Sequence, residues 1–252
     1  MKVIFEERPA LHGARIAIDT LDAEQQLNAL SLPMIEALLD RFARWAADPD
    51  VVCVLLRGNG MKAFCAGGDV RRLAEACRAA PGVVPALAER CLADEYGLVH
   101  LMHHYPKPLL CWGNGYVMGG GMGLLQGATI RIVTPDSRLA MPEVAIGLHT
   151  DVGASWFLPR LPGRLGLFAG LTGTQINARD ALDVGLADRC LTNEQQSDLI
   201  EGLVQINWQE HAAGQLHSLL RALGKQAADK LPEGRLLKRR GRIDDLLDVA
   251  EL

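Results

Sequence analysis

Two glycine-rich stretches in this sequence are suited to bringing the backbone close to a bound group. The longer one has five glycines between Gly115 and Gly123, in the run GYVMGGGMG, and the shorter one is the pair Gly67-Gly68. Glycine forms helices poorly, so the runs need another reason, and close approach to a ligand that a Cβ would block is the one we favour. The apolar residues 109–112 precede the longer run and predict a buried strand.

Each glycine stretch lies just before a predicted helix. After Gly121 the sequence favours a helix whose first N–H groups are free to bind developing negative charge. The pair Gly67-Gly68 precedes a helix from residue 71, with Asp69 placed as its N-cap. A strand, a glycine turn and a helix start make half of an oxyanion hole, in which N–H groups stabilise the anionic oxygen of an attacked carbonyl group. Two such turns facing each other would offer two donors to one oxygen.

The competing interpretation is a pair of ordinary strand-to-helix turns. The glycines alone favour it, because glycine-rich loops are common. A phosphate loop is excluded, since no Gly-Lys-Ser/Thr follows either run. A dinucleotide fingerprint is not convincing either, because the spacing from Gly119 to Gly123 is wrong and no acidic residue follows about 20 positions later in a βαβ unit.

Two acidic residues follow the longer glycine run. Glu143 comes after Met-Pro, and Asp151 comes before Val-Gly. Acids at helix starts are common because they complement the helix dipole. The residues alone therefore favour a helix-terminal acid at Glu143 and a turn cap at Asp151.

The elements that must position these residues follow an α/β pattern of short strands and crossover helices. The apolar spacing predicts a hairpin over residues 2–6 and 14–19, a helix with Ser31 as its N-cap, and a strand over 51–56 that is buried on both faces. Further predicted elements are helices over 87–104, 155–158, 165–171 and 177–184, strands over 129–133 and 138–140, and a more charged helical region from residue 194 onward.

Composition excludes several classes of protein. The 252 residues, 49% of them apolar, suffice for one large domain or for one domain with a small appendage. A net charge of −4 argues against a nucleic-acid surface. No run of about 18 apolar residues is present, so no membrane span is expected.

The cysteines and the N-terminus predict a cytoplasmic protein. The six cysteines form no C-x-x-C pair, which favours free thiols in a reducing compartment. The N-terminal MKVIFEERP is typical of neither a secretory signal nor a transit peptide. His100, His103 and His104 crowd one predicted helical turn without a matched acid or cysteine, which favours a surface-packed helix end over a metal site.

Together and in order, the motifs resemble the crotonase, or enoyl-CoA hydratase/isomerase, superfamily over about residues 1–191. The motifs are NAL at 28–30, FCAGGD at 64–69, NGYVMGGG at 114–121 and MPE at 141–143. Within the superfamily, the 3-hydroxyisobutyryl-CoA hydrolases are the most similar group. The distinguishing pieces are EY at 95–96, YPKP at 105–108, AMPEVAIG at 140–147 and DVG at 151–153.

The resemblance implies a spiral of ββα units over residues 1–191 and a helical C-terminal region over 192–252 that is truncated relative to the family. It also implies an acyl-CoA thioester as the small-molecule substrate, no separate cofactor, and an assembly that can include a homo-oligomer. The thioester carbonyl oxygen would lie between the N–H groups of Gly68 and Gly120. Further substrate contacts are expected from Gly67, Asp69, Glu95 and Gly119.

The carboxylates decide which reaction the resemblance implies. A hydratase of this family uses two glutamates, one just after the glycine run and one in the later Pro-Glu, because hydration needs a base and an acid on the same water. Here Gly123 occupies the first position, and only Glu143 remains. The hydrolases carry a different set of acids, which corresponds here to Glu143, Asp151 and Glu95.

The implied reaction is hydrolysis of 3-hydroxyisobutyryl-CoA, a step of valine catabolism. Glu143 would act as base or nucleophile at the carbonyl carbon. Asp151 would hold the substrate hydroxyl group or assist proton transfer, and Glu95 would shape the acyl pocket and hydrogen-bond the substrate.

Two alternative functions stay open. One is an enoyl-CoA hydratase or isomerase with a single working acid, and the other is a catalytically silent acyl-CoA-binding module. Three departures from the hydrolase pattern keep them open, and one of them, the short C-terminal region, motivates the binding module. His149-Thr150 replaces the usual Phe-Pro, and Gln25-Gln26 stands where a basic residue often meets the CoA phosphates.

Overall fold

The computed structural model describes residues 2–248 and has two sheets with helices around them. The strands are β1 Val3–Pro9, β2 Arg15–Leu21, β3 Val51–Gly58, β4 Ala63–Cys65, β5 Leu109–Gly113, β6 Tyr116–Met118, β7 Ile130–Val133, β8 Arg138–Ala140, β9 Ile176–Asn177 and β10 Arg189–Cys190. The helices are α1 Leu32–Ala47, α2 Val70–Ala79, α3 Ala86–His103, α4 Gly120–Gly127, α5 Ala154–Phe157, α6 Leu165–Thr172, α7 Ala178–Asp183, α8 Gln196–Val204, α9 Ala212–Ala227 and α10 Arg240–Leu247.

From β3 to β8, successive strands alternate between the two sheets. The larger sheet has the order β1-β2-β3-β5-β7-β10, and the smaller one has the order β4-β6-β8-β9. The pairs β3/β4, β5/β6 and β7/β8 each give one strand to the larger sheet and the next strand to the smaller sheet. Pairing along β2-β3-β5-β7-β10 is parallel, and only the β1–β2 hairpin is antiparallel in that sheet. This confirms the predicted spiral of ββα units.

The central strands of the larger sheet are buried on both faces. Strands β3 and β5 read as continuous apolar runs, and all of β5 is buried. One face packs against α1 through an apolar stripe at helical spacing, which includes Met34, Leu38, Phe42 and Trp45. The opposite face is covered by apolar side chains of α8 and α9, among them Leu199, Leu203, Leu216 and Leu220.

Four short strands, β4, β6, β9 and β10, were not predicted. Strands β4 and β6 have three residues each, and each lies directly before a glycine turn. A three-residue strand shows too little alternation for a period to be visible, so its pairing depends on partners far away in sequence. Ser31 lies at the N-cap of α1 as predicted, but its side chain makes no capping hydrogen bond.

Three further expectations concern the histidines of α3, the cysteines and membrane-spanning helices. His100, His103 and His104 are exposed at the C-terminal end of α3, as predicted. Four cysteines are buried free thiols, whereas Cys77 is exposed and Cys91 is half-buried. Among residues 2–248, no helix is both long enough and apolar enough to cross a membrane.

Candidate active site

The two glycine turns pack against each other backbone to backbone. A Cβ added at Gly67 would lie 3.3 Å from the Met118 carbonyl oxygen and 3.7 Å from the Gly120 nitrogen. Gly67 and Gly119 have φ values of 105° and 52°, in the region that favours glycine. The turns after β4 and β6 therefore meet because the two strands are neighbours in the smaller sheet.

Backbone hydrogen bonds fix both glycine turns and leave one N–H group in each turn without a turn or loop acceptor. The Leu30 N–H donates to the Gly67 oxygen at 2.8 Å, and the Gly119 N–H donates to the Ala140 oxygen at 3.1 Å. Within the described chain, the N–H groups of Gly68 and Gly120 donate to none of the turn and loop acceptors. Gly120 is the first residue of α4, as predicted, so its N–H lies at the positive end of the helix dipole.

Glu95 on α3 faces both glycines that carry these donors. A Cβ at Gly120 would overlap Glu95 Oε1, and one at Gly68 would lie 3.8 Å from Glu95 Oε2. The Glu95 side chain is buried, and its Oε1 atom has no hydrogen-bond partner within residues 2–248. Any side chain at Gly120 would therefore have to displace this carboxylate.

Burial raises the pKa of Glu95 to about 7, with smaller contributions from the nearby charges of Asp151 and Glu143. Removal from water disfavours the charged form, and like charges nearby add to the effect. Near neutral pH this carboxyl group is therefore divided between its protonated and ionised forms.

Glu143 lies in the 3-10 turn Glu143–Ile146, three residues after the end of β8. A Cβ at Gly119 would lie 2.9 Å from Glu143 Oε1, so the carboxylate contacts the longer glycine turn. Its Oε2 atom is buried and, within the described chain, unpartnered. Burial raises the pKa of Glu143, and the charge of Asp151 adds to this, whereas a backbone hydrogen bond and His149 oppose it.

Asp151 is half-buried in the loop before α5, and its Oδ2 atom accepts a hydrogen bond from the Tyr96 hydroxyl at 2.8 Å. The predicted acids thus come from three separate elements and meet beside the glycine turns. Their proximity is reflected in the raised pKa of Glu95, to which both other carboxylates contribute.

Asp69 has a different environment. Its carboxylate caps α2 by accepting a hydrogen bond from the Arg72 N–H at 3.3 Å, as the N-cap prediction required. Its own N–H donates to the Leu30 oxygen at 2.9 Å, which ties the Gly67-Gly68 turn to the segment before α1. The Asp69 side chain therefore has a structural role as the N-cap of α2, and its predicted contact with substrate stays a prediction.

Val152 is the site residue that sequence reasoning missed. A Cβ at Gly123 would lie 2.6 Å from Val152 Cβ, so the space beside Gly123 is filled. Val152 also has a φ of 42°, which is rare for a β-branched residue and marks a strained position next to Asp151. The contact between Val152 and Gly123 joins residues 29 positions apart, so no local pattern predicts it. The one signal in the sequence was the neighbouring Gly153, which marks a turn.

Apolar side chains line the space beside Gly68 and Glu95. The lining includes Leu30, Ile35, Leu73 and Leu87. Within residues 2–248, no three histidine, cysteine, aspartate or glutamate side chains are grouped so that they could hold a metal ion.

Comparisons with known proteins agree on the family. Residues 16–252 match the family model described as enoyl-CoA hydratase/isomerase. The chain is 40% identical over 205 residues to the Danio rerio protein named 3-hydroxyisobutyryl-CoA hydrolase, mitochondrial, covering 81% of this chain and 51% of that protein. The chain spans about half the length of the curated relatives it matches.

Two solved structures share the fold over nearly the whole chain. A carnitinyl-CoA dehydratase from Mycobacterium thermoresistibile has a TM-score of 0.84 and 32% identity, with 98% of this chain and 67% of that one covered. An enoyl-CoA hydratase from Rhodobacter sphaeroides 2.4.1 has a TM-score of 0.83 and 35% identity, with 99% and 67% covered. The chain belongs to the enoyl-CoA hydratase/isomerase family.

Proposed function

We propose that this protein hydrolyses a coenzyme A thioester, with 3-hydroxyisobutyryl-CoA as its substrate. The reaction joins the thioester with water and gives 3-hydroxyisobutyrate and free CoA, and we assign it to valine degradation. The observation that carries the proposal is the close packing of Val152 against Gly123. A Cβ added at Gly123 would lie 2.6 Å from Val152 Cβ. At the position of the first hydration glutamate this chain therefore has no carboxylate, and Val152 fills the space where one would lie. The relatives named as hydrolases also support hydrolysis over hydration.

The N–H groups of Gly68 and Gly120 are proposed as the oxyanion hole. Attack on a thioester carbonyl carbon moves an electron pair onto the oxygen, and two preorganised donors would stabilise the resulting anion. One such donor is typically worth about 3–4 kcal/mol. The lack of competing turn and loop acceptors for both N–H groups in the described chain supports this assignment.

Glu143 is proposed as the general base. It removes a proton from water as the water oxygen bonds to the carbonyl carbon. Collapse of the tetrahedral anion then breaks the carbon–sulfur bond, and the departing thiolate takes up the proton. Direct attack by Glu143, through an acyl-enzyme anhydride that water later opens, gives the same products. The unpartnered Oε2 atom suits either role, because no neighbouring donor holds it in the described chain.

Asp151 and Glu95 are proposed to bind the acyl group. Asp151 would accept a hydrogen bond from the substrate hydroxyl group. Glu95 would donate one in its protonated form, which a pKa of about 7 makes available near neutral pH. Gly67, Asp69 and Gly119 are proposed as further substrate-binding residues.

The proposal predicts thiol release from 3-hydroxyisobutyryl-CoA, measured with a thiol-reactive dye. Glu143→Gln keeps the shape of the side chain but removes the base, so kcat should fall by about 10²–10⁴-fold. Glu210→Gln is the matched control, since Glu210 is exposed and far along the chain from the site. Equal rates for wild type and Glu143→Gln would refute the role of Glu143.

A second candidate is hydration of an enoyl-CoA. The two solved structures named as a dehydratase and a hydratase, at 32% and 35% identity, favour it. Loss of crotonyl-CoA absorbance without thiol release would identify that activity. Tight binding of acyl-CoA with turnover of no thioester or enoyl-CoA would instead identify a silent binding module.

The remaining features of the proposal concern context. Buried free thiols favour a reducing compartment, and we propose the cytoplasm, although the vertebrate relatives carry mitochondrial names. CoA enters as part of the substrate, and no separate cofactor is proposed. A homo-oligomer is compatible with these assignments, and nucleic-acid and membrane partners are not part of them.

A further inference from the structure

Tyr96 connects helix α3 to the acidic cluster. Its hydroxyl group donates to Asp151 Oδ2 at 2.8 Å, across 55 residues of sequence. Tyr96 directly follows Glu95, and successive helix residues differ in direction by about 100°. The two neighbours therefore serve different parts of the site: Glu95 faces the glycine turns, whereas Tyr96 reaches the loop that carries Asp151.

The Tyr96 hydrogen bond fixes an otherwise free side chain. Within residues 2–248 it is the only side-chain hydrogen bond to the Asp151 carboxylate, and that carboxylate makes no ion pair. The main chain here is constrained separately: the Asp151 carbonyl oxygen accepts from the Ala154 N–H at 2.7 Å, and Val152 has a φ of 42°. The loop sets where Asp151 lies, and Tyr96 sets where its carboxylate points.

Tyr96 is a persistent donor. Tyr96 is 40% exposed, and the partial removal of its hydroxyl group from water, together with the hydrogen bond to Asp151, raises the pKa of that hydroxyl, with the charge of Glu95 adding to this. An ionised phenol would be repelled by both carboxylates, so the hydroxyl keeps its proton near neutral pH. Its hydrogen bond occupies Oδ2 and leaves Oδ1 open.

We propose that Tyr96 is a positioning residue that aims Asp151 at the 3-hydroxyl group of the substrate and so sets the preference for 3-hydroxyacyl thioesters. The inference rests on the proposed function, because it assumes that Asp151 accepts from that hydroxyl group. With Oδ2 held by Tyr96, Oδ1 is the oxygen left to accept from the substrate hydroxyl group. Without Tyr96 the carboxylate rotates, and a substrate hydroxyl group loses its fixed acceptor.

The test compares two substrates, 3-hydroxyisobutyryl-CoA and isobutyryl-CoA, which differ in the hydroxyl group. Tyr96→Phe should lower the ratio of their kcat/KM values about tenfold, the scale of one hydrogen bond to a charged group. Most of the change should appear as a higher KM for the hydroxylated substrate. In an Asp151→Ala background, Tyr96→Phe should have no further effect on the ratio.

The control is Tyr105→Phe, which also removes one hydroxyl group. The Tyr105 hydroxyl donates to the Phe42 carbonyl oxygen at 3.0 Å, away from the acids, so the substrate ratio should stay unchanged. A Tyr96→Phe enzyme that loses activity equally on both substrates, or keeps the ratio, overturns the proposal.

Failure of the hydrolase assignment can be distinguished from failure of this one. The binding affinities of both thioesters are measured by calorimetry in the Glu143→Gln background, with and without Tyr96→Phe. Absence of thiol release from wild type would contradict the proposed function. The affinity ratio would still decide on Tyr96: a fall on Tyr96→Phe supports the positioning role, and an unchanged ratio refutes it.

Discussion

At the scale of single residues, Glu95 has an environment that suits a neutral carboxyl group. It is 6% exposed, its Oε1 atom has no partner in the described chain, and two other carboxylates lie nearby. A carboxyl group that keeps its proton near pH 7 can donate a hydrogen bond, which an ionised one cannot. Glu143 has the opposite requirement, because a base must be ionised to accept a proton.

These opposite requirements predict a bell-shaped pH dependence of kcat/KM. Activity should rise with pH as Glu143 loses its proton, and this limb should lie above the ordinary range of glutamate because burial raises the pKa of Glu143. Activity should fall again as pH passes about 7, where Glu95 loses its proton. The two carboxyl groups interact, so the midpoints of the two limbs are apparent pKa values of the pair and not of either residue alone.

Glu95→Gln is the variant that tests this assignment. Glutamine remains a donor at every pH, so the falling limb should disappear and the rising limb should persist. The measurement is the rate of thiol release between pH 5 and 9, which extends about two pH units to either side of the falling limb expected near pH 7. A falling limb that survives in Glu95→Gln would show that another group produces it.

At the scale of elements, the contact between α4 and the loop at Val152 excludes a side chain at Gly123. A Cβ there would lie 2.6 Å from Val152 Cβ and 3.0 Å from the Val152 oxygen. Gly123→Ala should therefore destabilise the protein by about 1–3 kcal/mol, the usual cost of overpacking. Urea unfolding midpoints measure the effect.

Two further variants separate overpacking from helix propensity. Gly214→Ala on α9 places a methyl group where no atom lies within 4 Å, so it should be neutral or stabilising. Val152→Gly suits the positive φ of 42° and removes the clashing atoms, so adding it to Gly123→Ala should recover part of the loss. A Gly123→Ala midpoint equal to that of wild type would contradict the account.

The elements that sequence reasoning predicted are those whose signal is local. Strand β3 is a continuous apolar run, and α1 has an apolar stripe with Ser31 and Pro33 at its start. The glycine turns and the acids Glu143 and Asp151 were also visible as residue types. What was not predictable depends on contacts between distant segments. The three-residue strands β4 and β6, and the packing of Val152 against Gly123, exist only once the spiral is formed.

At the scale of the whole molecule, one buried acid stands out against the apolar interior. Asp19 on β2 is 0% exposed, and neither carboxylate oxygen has a hydrogen-bond partner in residues 2–248. Burial raises the pKa of Asp19 well above its ordinary value, and the charge of Arg41 opposes this. Arg41 lies over the rings of Phe5 and Trp45 at 4.7 Å and 5.5 Å, so its packing does not depend on Asp19.

Asp19 should make global stability fall as pH rises. Above the ordinary aspartate pKa of 3.8 the unfolded chain has released this proton, whereas the folded chain retains it up to the raised pKa. The folded state binds more protons in that window, so the free energy of unfolding decreases with pH there, and the full penalty remains at higher pH.

Asp19→Val should therefore stabilise the protein by about 1–4 kcal/mol near neutral pH, as seen when buried charges are replaced by apolar groups of similar volume. The gain over wild type should be larger at pH 8 than at pH 5, because the stability of the wild type falls with pH while folded Asp19 retains a proton that the unfolded chain has released. Urea midpoints at both pH values measure it, with Asp245→Val as the control at an exposed position. A gain that is equal at the two pH values would mean that apolar packing, and not the charge of Asp19, limits the stability of this fold.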